Sequence, residues 1–203
     1  PHTRASKDYS VTSNKSEVRA GILAARRSLS RQTRERETAD LARHLEATVE
    51  PGTTVCAYVP VGSEPGSVTM IDKLVARTVT VLLPVAREDS DGTPLPLQWG
   101  RHIPGKLIDA PFGLREPAPP WLPAVAVANA AVVFVPALAV DRHGARLGRG
   151  AGYYDRTLPL AAPGALLVAV VRDDELVDHL PSEAHDVRMT HALTPRRGLV
   201  PLV

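Results

Sequence analysis

Cysteine occurs once in the 203 residues, at Cys56, which excludes an internal disulfide framework and any metal site built from several cysteines. Aromatic residues make up only 4%, too few for the stacking platforms on which single-stranded nucleic acids are bound. Neither sign of charge prevails: 24 basic against 22 acidic residues leave a net +2, which speaks against a nucleic-acid partner held by a basic surface. Lysine supplies only 4 of the 24 basic residues, and the remainder are arginine, whose planar fork suits phosphate and carboxylate. Composition alone gives those arginines no role. The uncharged stretch Pro117 to Val140 is broken by Pro119, Pro120, Pro123, Asn129 and Pro136. A membrane helix needs about 20 strongly apolar residues without such breakers, so this stretch reads as a linker followed by a buried strand. No charged-then-apolar leader opens the sequence, and the expectation is a cytoplasmic protein without a membrane partner.

What is present is ordinary globular material, 44% hydrophobic and 23% charged, enough for one domain that buries about 70% of its unfolded surface. Proline is the exception. Nineteen prolines are about 9% of the chain against a usual 5%, and they predict hard stops between elements. Residues 1–14 are polar and aperiodic and are expected to be a disordered extension of a domain spanning 15–203. Val18, Ile22, Ala25 and Leu29 predict a first helix from Lys15. Ser30 caps a second, whose stripe is Leu41, Ala42, Leu45 and Val49 and which Pro51-Gly52 ends. Strands are predicted at Thr54 to Val59, Thr78 to Leu83, Ala131 to Val135 and Leu166 to Val171, with Pro60, Pro84 and Pro136 as stops for the first three. Short helices are expected at Val68 to Ala76 and at Tyr153 to Leu158, before Pro159. Residues 87–122 read as loops around one short strand, Leu95 to Trp99, and Val177 and Met189 to Leu193 as short extended pieces.

Apolar, β-branched strands divided by helices predict an α/β single domain: a mainly parallel open sheet flanked by helices, with a helical N-terminal segment. Ligands of such sheets sit beyond the carboxyl ends of the strands. The polar clusters follow strands or open helices.

The most informative segment runs Arg146-Leu147-Gly148-Arg149-Gly150-Ala151-Gly152-Tyr153-Tyr154-Asp155. Alternate glycines let the backbone turn and approach a ligand without an intervening Cβ. Arg146 and Arg149 add charge-assisted donors suited to phosphate oxygens. No Gly-Lys-Ser/Thr follows, so it is not a Walker A loop, and the third glycine comes one residue early for the dinucleotide fingerprint.

This segment resembles the signature of the 5-formyltetrahydrofolate cyclo-ligase family, and the likeness extends in order along about residues 15–195. Lys15 and Arg19 match its early Lys-x-x-x-Arg, and Tyr58-Val59-Pro60 with Glu64 its segment after the first strand. Leu83-Pro84 resembles its strand ending, Gly113 to Pro117 its Glu-Pro turn, and Leu180-Pro181 through His185-Asp186 its late stretch. Ala151 stands where some members carry lysine, Ser67 stands for threonine, and residues 1–14 have no counterpart.

The resemblance implies ATP-dependent closure of 5-formyltetrahydrofolate, the small-molecule partner, to the 5,10-methenyl compound, in a monomer that uses magnesium. It implies catalytic roles for Arg149, Glu64 and Tyr153. ATP would be held by Lys15, Arg19 and the run from Arg146 through Leu147, Gly148, Arg149, Gly150, Ala151 and Gly152 to Tyr153 and Tyr154. The folate would meet Val59, Glu64, Arg149, Gly150, Ala151, Gly152 and Tyr153, and magnesium Asp155 and Asp186. Spacing by itself leaves plainer readings open: Lys15 and Arg19 as a solvated helix face, the tyrosines as core, Asp155 as a helix cap, Asp186 as a turn residue and Glu64 as a loop carboxylate. His143 and His185 read as neighbours of the site, and the other histidines lack metal spacing. A folate- or nucleotide-binding protein without catalysis is the alternative.

Overall fold

The computed structural model describes residues 7–9 and 14–203. Two helices come first, α1 (Lys15–Arg27) and α2 (Arg31–Thr48), followed by β1 (Thr54–Cys56), α3 (Val68–Ala76) and β2 (Thr80–Val85). The middle third holds three short strands, β3 (Gln98–Arg101), β4 (Leu107–Asp109) and β5 (Arg115–Pro117). Then come β6 (Val132–Pro136), β7 (Ala139–Asp141), β8 (Arg146–Leu147), α4 (Tyr153–Thr157) and β9 (Leu166–Val170). The chain finishes with β10 (Leu176–Val177), β11 (His191–Thr194) and β12 (Gly198–Pro201).

Seven strands form the main sheet in the order β12-β11-β9-β6-β1-β2-β3. The five inner strands are parallel, and only the edge strands β3 and β12 run antiparallel. The expected single α/β domain with a mainly parallel sheet is therefore what the chain forms. Strand periodicity explains its thickness. Val55, Val132, Phe134, Val168 and Val170 pack on one face with α2 and α3. Their neighbours Cys56, Val133, Val135, Leu167 and Ala169 pack on the other, against Ala126, Val127 and Leu158. Both faces are covered, which is why these strands read as continuous apolar runs.

Ser30 caps α2 as expected, its hydroxyl accepting from the Thr33 N–H at 3.1 Å. Removing it in Ser30→Ala should cost about 1 kcal/mol of stability, read by denaturant unfolding. The buried stripe of α1 differs from the expected one: it runs Val18, Ile22, Arg26, while Ala25 faces solvent. Pro84 does not stop β2. β1 ends opposite Leu82, so Pro84 has no ladder partner on that side and needs no N–H there, while on the other side it pairs with Trp99 of β3. That pairing moves β3 three residues beyond the expected Leu95. β1 is shorter than expected, because neither neighbouring ladder continues past Cys56. The short extended piece expected at Val177 is β10, whereas the pair β4–β5, the strands β7 and β8 beside β10 and the edge strand β12 are additions to the expected set.

The expected extension lies largely outside the described residues. Within it, the Tyr9 N–H donates to the His179 carbonyl at 3.1 Å, and the Asn14 side chain caps α1 by accepting from the Ser16 N–H at 2.8 Å. Among the described residues no helix is long and apolar enough to cross a membrane.

Candidate active site

The parallel strands follow the order β2-β1-β6-β9-β11, so connections leaving β1 and β6 depart in opposite directions. Such a switch point leaves a crevice at the carboxyl ends. A cavity of about 880 Å³ opens there, lined by the segments that follow β1, β2 and β6, by one face of α1 and by the glycine loop. All the residues expected at the site line this one cavity: Lys15, Arg19, Val59, Glu64, the run 146–154, Asp155 and Asp186. His143 and His185 are not in its wall.

The loop between β8 and α4 depends on glycine at two positions. Gly150 has φ +101° and Gly152 has φ +90°, conformations that L side chains rarely adopt. α1 braces this loop: Arg19 Nε donates to the Gly148 carbonyl at 2.8 Å, and the Arg19 guanidinium lies about 3.5 Å from where a Cβ on Gly150 would sit. Lys15 and Arg19 are half-buried against the cavity, which removes the reading of a solvated helix face. Arg146 is tied down more firmly. It donates to the Pro136 carbonyl at 3.2 Å and to Asp155 Oδ1 at 3.3 Å, and lies 5.7 Å from the Tyr154 ring centre. Burial lowers its pKa, against the opposing pull of Asp155.

Arg149 is half exposed and reaches Glu64, Nε to Oε1 at 3.5 Å. Glu64 is no solvated loop carboxylate: its side chain is 11% exposed, and Oε2 accepts from the Val61 N–H at 2.9 Å. Burial raises its pKa, and the Val61 N–H, Arg149 and Arg26 offset only part of that rise. A group with a raised folded pKa contributes stability below its unfolded pKa and loses it as pH rises through the folded value. Glu64→Gln should therefore melt higher than the parent at neutral pH, with the gap closing as pH falls through the carboxylate range. Thermal melts across that range check this.

Asp155 is largely exposed, and Asp186 Oδ2 accepts from the Glu183 N–H at 2.8 Å. Among the described residues no three His, Cys, Asp or Glu side chains gather as a metal cage. Asp155 and Asp186 both line the cavity, and magnesium commonly takes one or two carboxylates with waters and phosphate oxygens as its other ligands, so these two could serve it. Cys56 is fully buried and burial pushes its thiol up to about 12, so it serves packing.

Sequence reasoning missed several residues of the cavity. Arg26 is 1% exposed, with Nε and Nη2 on the Glu175 carboxylate at 2.8 and 2.9 Å and Nη2 also on the Ala137 carbonyl at 2.8 Å. Tyr58 forms part of the same floor, and Arg87 holds Glu116 at 2.7 Å beside the Trp121 ring. Phe112 stands almost wholly exposed at φ +63° between β4 and β5. Arg26 left a signal: a cation four residues after Ile22 continues the apolar stripe and demands a buried partner. Tyr58 opens the Tyr58-Val59-Pro60 motif but carried no role of its own there, and Arg87 and Phe112 left no signal.

Residues 11–195 match the 5-formyltetrahydrofolate cyclo-ligase family. The chain belongs to that family. A 5-formyltetrahydrofolate cyclo-ligase of Mycolicibacterium smegmatis is 59% identical over 189 residues, covering 93% of this chain and 97% of the relative. The Escherichia coli cyclo-ligase is 29% identical over 149 residues, 71% of this chain and 79% of that one. Among solved structures, the 5,10-methenyltetrahydrofolate synthetase of Aquifex aeolicus superposes with a TM-score of 0.73 at 26% identity, covering 92% of each chain.

Proposed function

We propose that this chain catalyses the ATP- and magnesium-dependent cyclisation of 5-formyltetrahydrofolate to 5,10-methenyltetrahydrofolate, releasing ADP and phosphate. One observation carries the reading: a single cavity holds Lys15, Arg19 and the glycine loop together with Val59 and Glu64. Donors suited to phosphate and a largely buried carboxylate thus line one space. We read the protein as a cytoplasmic monomer without nucleic-acid or membrane partners.

The chemistry needs that proximity. The formyl group on nitrogen 5 is an amide, whose resonance is worth a rotation barrier of about 18–20 kcal/mol and leaves its carbon a poor electrophile. Transfer of the terminal phosphoryl group to the formyl oxygen turns that oxygen into a leaving group. Nitrogen 10 then attacks the carbon, phosphate departs, and nitrogen 10 loses a proton. Phosphoryl transfer asks mainly for positioning and charge stabilisation. Lys15, Arg19 and Arg149 supply the charge, the glycines supply close backbone approach, and Tyr153 and Tyr154 close the wall. Asp155 and Asp186 would hold magnesium, which neutralises phosphate charge when bound. Glu64, with its raised pKa, is suited to accept the nitrogen 10 proton.

Purified protein incubated with 5-formyltetrahydrofolate, ATP and magnesium should produce the near-ultraviolet absorbance of the methenyl product together with ADP. Tight folate binding with neither product would favour the non-catalytic binding protein. Asp155→Asn should raise the magnesium concentration needed for half-maximal rate, and an unchanged requirement would remove Asp155 from the metal site.

A further inference from the structure

α1 is anchored differently at its two ends. Toward its C-terminal end Arg26 is locked to the Glu175 carboxylate and the Ala137 carbonyl. At the other end, where Lys15 and Arg19 lie, its buried side chains are Val18 and Ile22, with Leu23 packed alongside. They meet Ala145 and Leu147 of the β7–β8 hairpin, and Val177 and Leu180, in a small apolar cluster separate from the two cores of the main sheet. A helix of 13 residues is marginal on its own, so this packing decides where its N-terminal half sits. Two buried side chains are little to decide it with. Tyr9 packs against the same cluster, half-buried.

A backbone brace delivers that ring. The Tyr9 N–H donates to the His179 carbonyl at 3.1 Å and the Asp178 N–H to the Lys7 carbonyl at 2.9 Å, which pairs Asp8 with His179 as a parallel bridge just past β10. Asp8 Oδ2 lies 3.6 Å from His179 Nδ1 on the same pair. The receiving segment is itself fixed. The buried Asp141 carboxylate accepts from the Leu180 N–H at 2.9 Å, and from the His143 and Ala145 N–H groups at the same distance. That ties residues 178–180 to the β7–β8 hairpin, whose second strand runs straight into the glycine loop. Leu147 belongs to the cluster, and the next residue, Gly148, offers the carbonyl that Arg19 holds at 2.8 Å. One small cluster thus underlies both α1 and the root of the loop. Tyr9 precedes residues 11–195, the stretch that matches the family.

We propose that Tyr9 is a positioning residue for ATP: its ring completes the cluster that seats α1 on the root of the glycine loop, and so sets where Lys15 and Arg19 meet the phosphates. The assignment rests on the cyclo-ligase reading above. Tyr9 does not line the cavity, so it acts through the helix and not on a ligand. Lys15 and Arg19 stand four residues apart on one helix face, and a tilt of that face moves both cations together. They meet the phosphates before and during transfer alike, so the shift is read mainly as ATP affinity and little as turnover. Val59 and Glu64 follow β1 and have no part in the cluster, so the folate end is indifferent to Tyr9.

The test is calorimetry on the full chain with ATP and magnesium, alongside steady-state kinetics. Tyr9→Ala should raise Kd and KM for ATP about 3–10-fold, the scale on which residues touching no ligand alter its binding. Turnover should stay within about threefold and KM for 5-formyltetrahydrofolate should not move. Tyr9→Phe keeps the ring and should match the parent. Ser30→Ala, which removes the cap of α2, is the control for lost stability alone: it should melt lower with its ATP constants unchanged. Unchanged ATP affinity in Tyr9→Ala, or a loss that Tyr9→Phe does not restore, overturns the assignment. An equal rise in the folate KM, or a matching ATP loss in Ser30→Ala, also overturns it, since either means general loosening. A parent that binds ATP but forms no methenyl product sinks the cyclo-ligase reading, and calorimetry still decides the brace. An active parent with an indifferent Tyr9 keeps that reading and loses only the brace. A parent that binds no ATP overturns both.

Discussion

Arg149→Ala should lower turnover by about 10²–10³-fold, the usual loss when one preorganised donor to developing charge is removed. Its stability should barely move, because Arg149 is half exposed and its ion pair with Glu64 is long, at 3.5 Å. The two measurements separate catalysis from folding. The substitution has a second effect inside the cavity. Arg149 is among the groups that hold the Glu64 pKa down against burial, so its loss should lift that carboxyl further. The acid limb of the kcat/KM profile should accordingly shift to higher pH. Turnover within a few-fold of the parent would make the arginine a bystander.

Gly150→Val should be the more damaging change for ATP. At φ +101° a β-branched side chain is badly accommodated, while the space itself is adequate, since the nearest Arg19 atoms stand about 3.5 Å from the added Cβ. The loop must therefore relax by rotating its backbone, and the Gly148 carbonyl that Arg19 holds at 2.8 Å would move with it. Strain of this sort is worth of order 1–3 kcal/mol. A displacement of about 1 Å at a phosphate-positioning loop costs on the order of 10²-fold in rate. We expect KM for ATP to rise and turnover to fall by that factor. Gly52→Val, at φ +79° far from the cavity, is the control and should lose stability without that kinetic signature. Normal ATP kinetics in Gly150→Val would mean that the loop is a structural turn.

The parallel core was legible because β1, β2, β6 and β9 are apolar on both faces, and prolines or glycines separate them from the helices. Local pattern was sufficient there. It was insufficient wherever pairing came from distant chain. Pro84 lies inside β2 only because β1 ends early beside it, a fact about a neighbour 28 residues away that no window around Pro84 contains. β7 and β8 are two or three residues long and exist through mutual pairing, so their periodicity is too brief to read. The cavity residues show the same division. The glycine loop, Lys15 and Arg19 were found through a resemblance of motif. Arg26 lies outside those motifs and Tyr58 sits in one that gives it no role, and only the fold reveals that Arg26 is fixed by Glu175 and that both residues belong to the cavity lining.

The Arg26–Glu175 pair also has a history in time. Its partners are 149 positions apart in the chain. At synthesis rates of about 5–20 residues per second, Arg26 emerges roughly 7–30 s before the carboxylate that neutralises it exists. Until then α1 carries a cation at the end of its buried stripe and has no finished surface to dock on, since β9, which precedes Glu175, is itself late. Burying one partner of such a pair without the other is strongly destabilising, so α1 cannot dock favourably until Glu175 has been made. The helix bearing Lys15 and Arg19 is therefore made first and seated last, so ATP affinity should appear only when synthesis has passed β9 and the segment that follows it.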